Sequence, residues 1–201
     1  MAEPIHEVLP GVLHWTAPHP SAGIESGSHY LVAEGVLIDP IAPPEGLEWF
    51  DGREVAEILL TNRHHTRSAF DLRERLGVPI RAPRTGMHDL PADLVEPYDF
   101  GDELIAGIRP HAISATWPDE TALELPRHRA VAIADGVTHY DGALGFFSDS
   151  LLGDDPDAEK QRLREGFARL LDNVDFDHLL FAHGTPIVGD GRAQLERFAA
   201  G

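Results

Sequence analysis

The chain has no cysteine in its 201 residues. That excludes disulfides, thiolate metal ligands and cysteine nucleophiles together. Lysine is nearly absent: of 16 cationic residues only Lys160 is a lysine, and the rest are arginines. A basic excess is lacking too, since the net charge is −18. Nucleic-acid backbones and anionic membrane surfaces both require positive surface charge, so neither is an expected partner. Long hydrophobic runs are missing, and stretches such as Val36-Leu37-Ile38 and Ile58-Leu59-Leu60 are far too short to span a bilayer. The N-terminal run MAEPIHEVLPGVLHW has no basic segment ahead of an apolar one. It therefore does not read as a signal peptide, and a cytoplasmic location is the expectation. No Gly-x-Ser-x-Gly elbow is present, so serine hydrolase chemistry has no support. Asp154-Asp155-Pro156-Asp157 lacks the ordered alternation of a calcium loop and reads as a helix start.

What remains is an ordinary globular composition, 42% hydrophobic and 25% charged, with 12 histidines. One domain over residues 1–201 is expected, without repeats or linkers. Short apolar runs separated by Pro, Gly and Ser predict strands at Gly11–Trp15, Ser28–Ala33, Gly35–Asp39 and Glu57–Thr61. Ser68–Leu76 reads as a helix stopped by Gly77, and Val78–Arg81 returns as a strand, the length of a βαβ crossover. Strands are predicted again at Leu104–Ile108, Thr121–Leu125, Ala130–Ala134 and His178–Ala182. Pro156–Asp172 is the clearest helix, with Leu163, Phe167, Leu170 and Leu171 on one face, and Gly191–Ala200 is a short last one.

Several of these pieces end in residues that carry chemistry. Val36-Leu37-Ile38-Asp39 and Ala132-Ile133-Ala134-Asp135 each end in a carboxylate. Ile58-Leu59-Leu60-Thr61 runs into Asn62-Arg63-His64-His65-Thr66-Arg67, and Leu179-Leu180-Phe181-Ala182 runs into His183-Gly184. In this order they resemble the metallo-β-lactamase superfamily over nearly the whole chain. The resemblance implies an α/β fold, a four-layer αββα sandwich with metal-binding loops at one rim. It also implies a His-x-His-x-Asp-His turn, a mid-chain histidine, a bridging aspartate and a final histidine around two metals.

Carried over residue by residue, that motif is degenerate. Asn62 stands for the first histidine, His64 for the second, Thr66 for the aspartate and Arg67 for the third histidine. Thr116 falls at the mid-chain histidine, with His111 as a displaced alternative. Asp135 matches the bridging aspartate and His183 the last histidine. His64, Asp135 and His183 are thus the expected metal ligands, for at most one ion, with His65 beside them. A guanidinium at Arg67 opposes a second metal: unit charges 4 Å apart repel by about 4 kcal/mol at an effective dielectric near 20, and a dication roughly doubles that.

Two functions follow from the resemblance. One is a protein whose dinuclear centre has decayed, keeping a small-molecule pocket of Asn62, His64, His65, Thr66, Arg67, Thr116, Asp135 and His183 and lacking the two-metal hydrolase activity. The other is a hydrolase of a small ester, thioester or lactone working with one divalent metal: zinc, iron or manganese. The former is the leading expectation. His6, His14, His19, His88, His128, His139 and His178 are expected at the surface, and His29 is a minor rim candidate. Trp15, Trp49 and Trp117 are expected in core or rim packing.

Overall fold

The computed structural model describes residues 2–19, 23–113 and 117–201. The backbone clusters into two compact units, Met1–Asp99 and Phe100–Gly201.

The first unit is a seven-stranded sheet whose spatial order follows the chain. β1 (Glu3–Leu9), β2 (Val12–Pro18), β3 (Glu25–Leu31) and β4 (Val36–Ile38) form an antiparallel meander. β5 (Glu57–Leu59), β6 (Ile80–Pro83) and β7 (Val95–Tyr98) then continue it in parallel from β4. The crossover from β5 to β6 carries α1 (Ala69–Leu76). Its start and stop are local: Ser68 is the N-cap, and Gly77 at φ 70° returns its N–H to the Arg73 carbonyl. The helix lays Ala69 and Leu72 on a core of Trp15, Tyr30, Phe50, Ile58 and Ile80. Trp15 is fully buried, and its indole N–H finds the Ile41 carbonyl at 2.8 Å.

The second unit has a four-stranded sheet, together with a separate hairpin. β8 (Arg109–Ala112), β9 (Thr121–Leu125) and β10 (Ala130–Ile133) are antiparallel neighbours. The hairpin is β11 (Thr138–Tyr140) with β12 (Ala143–Gly145). α2 (Pro156–Asn173) follows, with the Asp155 side chain capping the Ala158 N–H at 3.1 Å and Pro156 at its first position. β13 (His178–Phe181) lies parallel to β10, and α3 (Gly191–Ala200) closes the chain. Leu163, Phe167 and Leu170 of α2 pack with Val131, Ile133, Leu179, Phe181 and Leu195. Each buried aliphatic or aromatic side chain in such a core contributes about 1.5–3 kcal/mol.

One predicted strand is displaced. Leu104–Ile108 is not extended: Ile105–Gly107 is a tight turn with Ala106 at φ 57° and Gly107 at φ 80°. Two consecutive left-handed residues break a ladder, so the strand starts only at Arg109. Four strands carried no clear signal in the sequence: β1, β7, β11 and β12. Among the described residues, no helix is long and apolar enough to cross a membrane.

Candidate metal centre

In the first unit the site begins where β4 ends beside its parallel neighbour β5. Ile38 is in register with Leu59, and the next residue, Asp39, donates its N–H to the Leu59 carbonyl at 3.0 Å. Asp39 then turns into the left-handed region at φ 47°, which aspartate tolerates better than most residues. Its carboxylate is 2% exposed and fully engaged. Oδ1 accepts the Thr61 N–H at 2.8 Å, and Oδ2 accepts the Thr61 hydroxyl at 2.5 Å and His65 Nδ1 at 2.8 Å. Burial works to raise the Asp39 pKa, but His65 above all, then Arg67 and Thr61, hold it below the ordinary carboxylate value. The carboxylate is therefore ionised at neutral pH, and it fixes the His65 proton on Nδ1. In the neutral ring that arrangement makes Nε2 the lone-pair nitrogen.

The turn after β5 has its own bracing. Asn62 Oδ1 accepts the His64 N–H at 2.9 Å, and the Asn62 carbonyl accepts the His65 N–H at 3.3 Å. This side-chain-closed turn makes His64 exposed while His65 is 3% exposed. Thr66 and Arg67 are half-buried, and Arg67 sits at φ 38°. Arg67 Nη1 donates to the carbonyls of Gly27 at 2.6 Å and Asp39 at 2.8 Å. The Asp39 carbonyl also accepts the Ser28 hydroxyl at 2.6 Å, and Ser28 Oγ in turn accepts the Ile41 N–H at 2.9 Å.

Behind this network lies a row of histidines that the sequence reading placed at the surface or rim. His6, His14 and His29 are in register across β1, β2 and β3. His6 is exposed, but His14 is 1% and His29 2% exposed. His14 Nδ1 lies 3.1 Å from His29 Nε2, and the two rings stack. Their alternation with Leu13 and Tyr30 puts them on one face of the sheet, which is why His14 is buried and not on the surface. Trp49 is packed against the core as expected, while Trp117 is 40% exposed.

The second unit repeats the strand-end logic. Ile133 of β10 is in register with Phe181 of β13, so the residues two further on, Asp135 and His183, leave adjacent parallel strands in the same direction. His183 Nε2 lies 3.1 Å from Asp135 Oδ1. The Phe147 ring stands edge-on to the His183 imidazole, with centroids 5.1 Å apart. Gly184 follows His183 at φ 113°, against the backbone of His139. The His139 N–H donates to the His183 carbonyl at 3.1 Å, and the Thr185 N–H to the His139 carbonyl at 3.0 Å. A Cβ on Gly184 would fall 2.1 Å from the His139 carbonyl oxygen. Gly184→Ala is therefore expected to destabilise the protein by about 3 kcal/mol, read as a lower urea midpoint. A midpoint equal to that of the unaltered protein would contradict this packing.

Among the described residues, the group of three that offers ligand atoms for one ion is His65, Asp135 and His183. Asp135 and His183 were anticipated, whereas in the turn the group includes His65, the neighbour of His64. Thr116 lies outside the described residues. His111 is bonded through Nε2 to Glu124 Oε2 at 2.8 Å, across the β8–β9 pair. Asp39 is a site residue that the sequence reading noted only as a strand end. Its signal was present: a carboxylate just past one buried strand, in front of a histidine-bearing turn past the next.

No family model matches the chain, and no curated protein matches it either. Solved structures do. The DIM-1 metallo-β-lactamase superposes with a TM-score of 0.73 at 16% identity, covering 100% of this chain and 97% of that one. A metallo-β-lactamase from Pontibacter korlensis gives 0.69 at 18% identity, covering 100% and 98%. One from Erythrobacter litoralis, with β-mercaptoethanol in its active site, gives 0.72 at 16% identity, covering 98% and 94%. The chain accordingly has the metallo-β-lactamase fold, an α/β sandwich of sheets flanked by helices, and bears an incomplete metal-binding motif of three ligand residues.

Proposed function

We propose that this chain is a one-metal hydrolase of a small ester, thioester or lactone, with His65, Asp135 and His183 as its ligands. The observation that carries the reading is the bond from His65 Nδ1 to the buried, ionised Asp39. A histidine braced by a carboxylate on one ring nitrogen is pre-set to give the other to a metal. Two imidazoles and one carboxylate are a complete protein ligand set for a catalytic zinc, leaving one position open. The donors therefore fit one ion. Nothing in Asn62, Thr66 or Arg67 provides for a second, and Arg67 adds a permanent positive charge to the same turn.

When bound, a divalent ion there would polarise a substrate carbonyl and make a coordinated water acidic enough to ionise near neutral pH. The protein groups have separate tasks. Asp39 holds the His65 ring and its tautomer, and Thr61 holds Asp39 with two hydrogen bonds. Phe147 stands edge-on against one flank of His183. A small-molecule pocket without hydrolysis is the second reading. The Asn62 and Arg67 bonds favour it, because both residues now brace the turn instead of offering a lone pair to an ion.

Elemental analysis of protein purified without chelator or added metal tests the proposal. About one equivalent of zinc, iron or manganese per chain is expected, lost in His65→Ala and His183→Ala and kept in His64→Ala. A screen of esters, thioesters, lactones and β-lactams then identifies the hydrolysed class. Two equivalents per chain would refute the one-metal count. No equivalent, with no hydrolysis on adding metal, would establish the second reading instead.

A further inference from the structure

We propose that Glu120 is a positioning residue for Asp135, a role that rests on the one-metal reading above. Glu120 lies just before β9 and is 1% exposed. Its backbone is tied on both sides: its N–H donates to the Trp117 carbonyl, and its carbonyl accepts the Ile113 N–H, each at 3.0 Å. Its side chain Oε1 accepts the N–H of Gly136 at 2.7 Å. Gly136 is the residue that follows Asp135, so this bond grips the backbone beside the carboxylate that would touch the metal.

The same glycine is also walled by α2. A Cβ on Gly136 would lie 3.0 Å from Phe167, 3.1 Å from Leu163 and 3.2 Å from Glu120 Oε1. Asp135 thus precedes a glycine whose N–H a buried carboxylate holds and which two core side chains crowd. Its other neighbour, Ala134, is held by its N–H to the Thr121 carbonyl at 3.3 Å, one residue from Glu120. Asp135 itself is 27% exposed along its side chain, with His183 Nε2 at 3.1 Å from its Oδ1. A glutamate buried this deeply is costly unless it accepts strong hydrogen bonds. Here at least one of them goes to the backbone that aims a metal ligand.

The test compares Glu120→Gln with Glu120→Ala, using competition between protein and a chromogenic chelator for zinc alone. The glutamine keeps the Oε1 acceptor and loses only the charge. Zinc affinity is expected to fall tenfold to a hundredfold in E120A and to stay within about threefold in E120Q. The Gly136 amide proton is expected downfield in the unaltered protein because of its short bond, and it should lose that shift only in E120A. If E120A does not fold, Gly136→Ala moves the same peptide with the carboxylate in place, and the same loss of zinc affinity is expected. E120A or G136A binding zinc as the unaltered protein does would overturn the role. So would E120Q losing as much affinity as E120A, because charge and not position would then be at work. Unaltered protein that takes up no zinc overturns the one-metal reading, and this role with it.

Discussion

Asp39→Asn is expected to lower stability by about 3 kcal/mol and zinc affinity tenfold to a hundredfold. The substitution is nearly isosteric, and asparagine accepts the left-handed backbone that Asp39 adopts. What changes is the chemistry of one atom. Oδ1 can still accept the Thr61 N–H, but an amide nitrogen replaces Oδ2 and meets the Thr61 hydroxyl and His65 Nδ1, which both donate to it now. The Arg67 charge also loses the anion that offsets it. Urea unfolding reads the stability, and chelator competition reads the affinity. If neither moves, the Asp39–His65 bond does not organise this site. If only stability falls, Asp39 is a packing group, and the proposed ligand must be sought elsewhere than His65.

Acid is expected to destabilise the protein well above the pH at which carboxylates protonate. Burial, the nearby His6 and little compensation from the Ser28 carbonyl lower the His14 pKa from 6.5 to about 4. His29 is held well below 6.5 by burial, by His14 and by Arg67. In both cases the folded state refuses a proton that the unfolded state accepts. The stability is thus fully present above pH 6.5 and is lost as the pH falls toward 4. For His14 alone the loss approaches about 3 kcal/mol at the lower end. Urea midpoints at pH 7.5, 6 and 5 follow it directly. Replacing His14 and His29 together by leucine should flatten the curve over that range. An unchanged slope in the double variant would mean that other groups carry the acid sensitivity.

The parts of the fold legible in the sequence are those whose signal is local. Thr121–Leu125 and Gly191–Ala200 have the predicted bounds, because an apolar run or a helical period with a clear start and stop defines each. α1 is bounded by Ser68 and Gly77 for the same reason. β1 was illegible because it is an edge strand reading Glu-Pro-Ile-His-Glu-Val-Leu, mostly exposed, with no buried face to pattern it. β7 was illegible because Pro97 sits inside it, which an edge strand tolerates. The site divides along similar lines. Asp135 and His183 stand out in the sequence because each lies two residues past a buried strand. The burial of His65 and exposure of His64 are not legible there, because they depend on a turn closed by the Asn62 side chain and on a carboxylate 26 residues away.

The bracing of the turn after β5 limits what substitution there can do. Arg67 is not an idle replacement for a ligand, since it donates to two backbone carbonyls, one of them that of Asp39. Asn62 likewise closes the turn that buries His65. Placing a histidine at either position therefore removes structure before it provides a metal ligand. Hydrogen bonds from a charged donor are worth about 1.5–3 kcal/mol each, so Arg67→His alone starts with a deficit of that order. Binding a second ion would offset it only after further substitutions had supplied the remaining ligands. A single step toward a two-metal motif at this turn therefore costs stability before it adds a usable ligand.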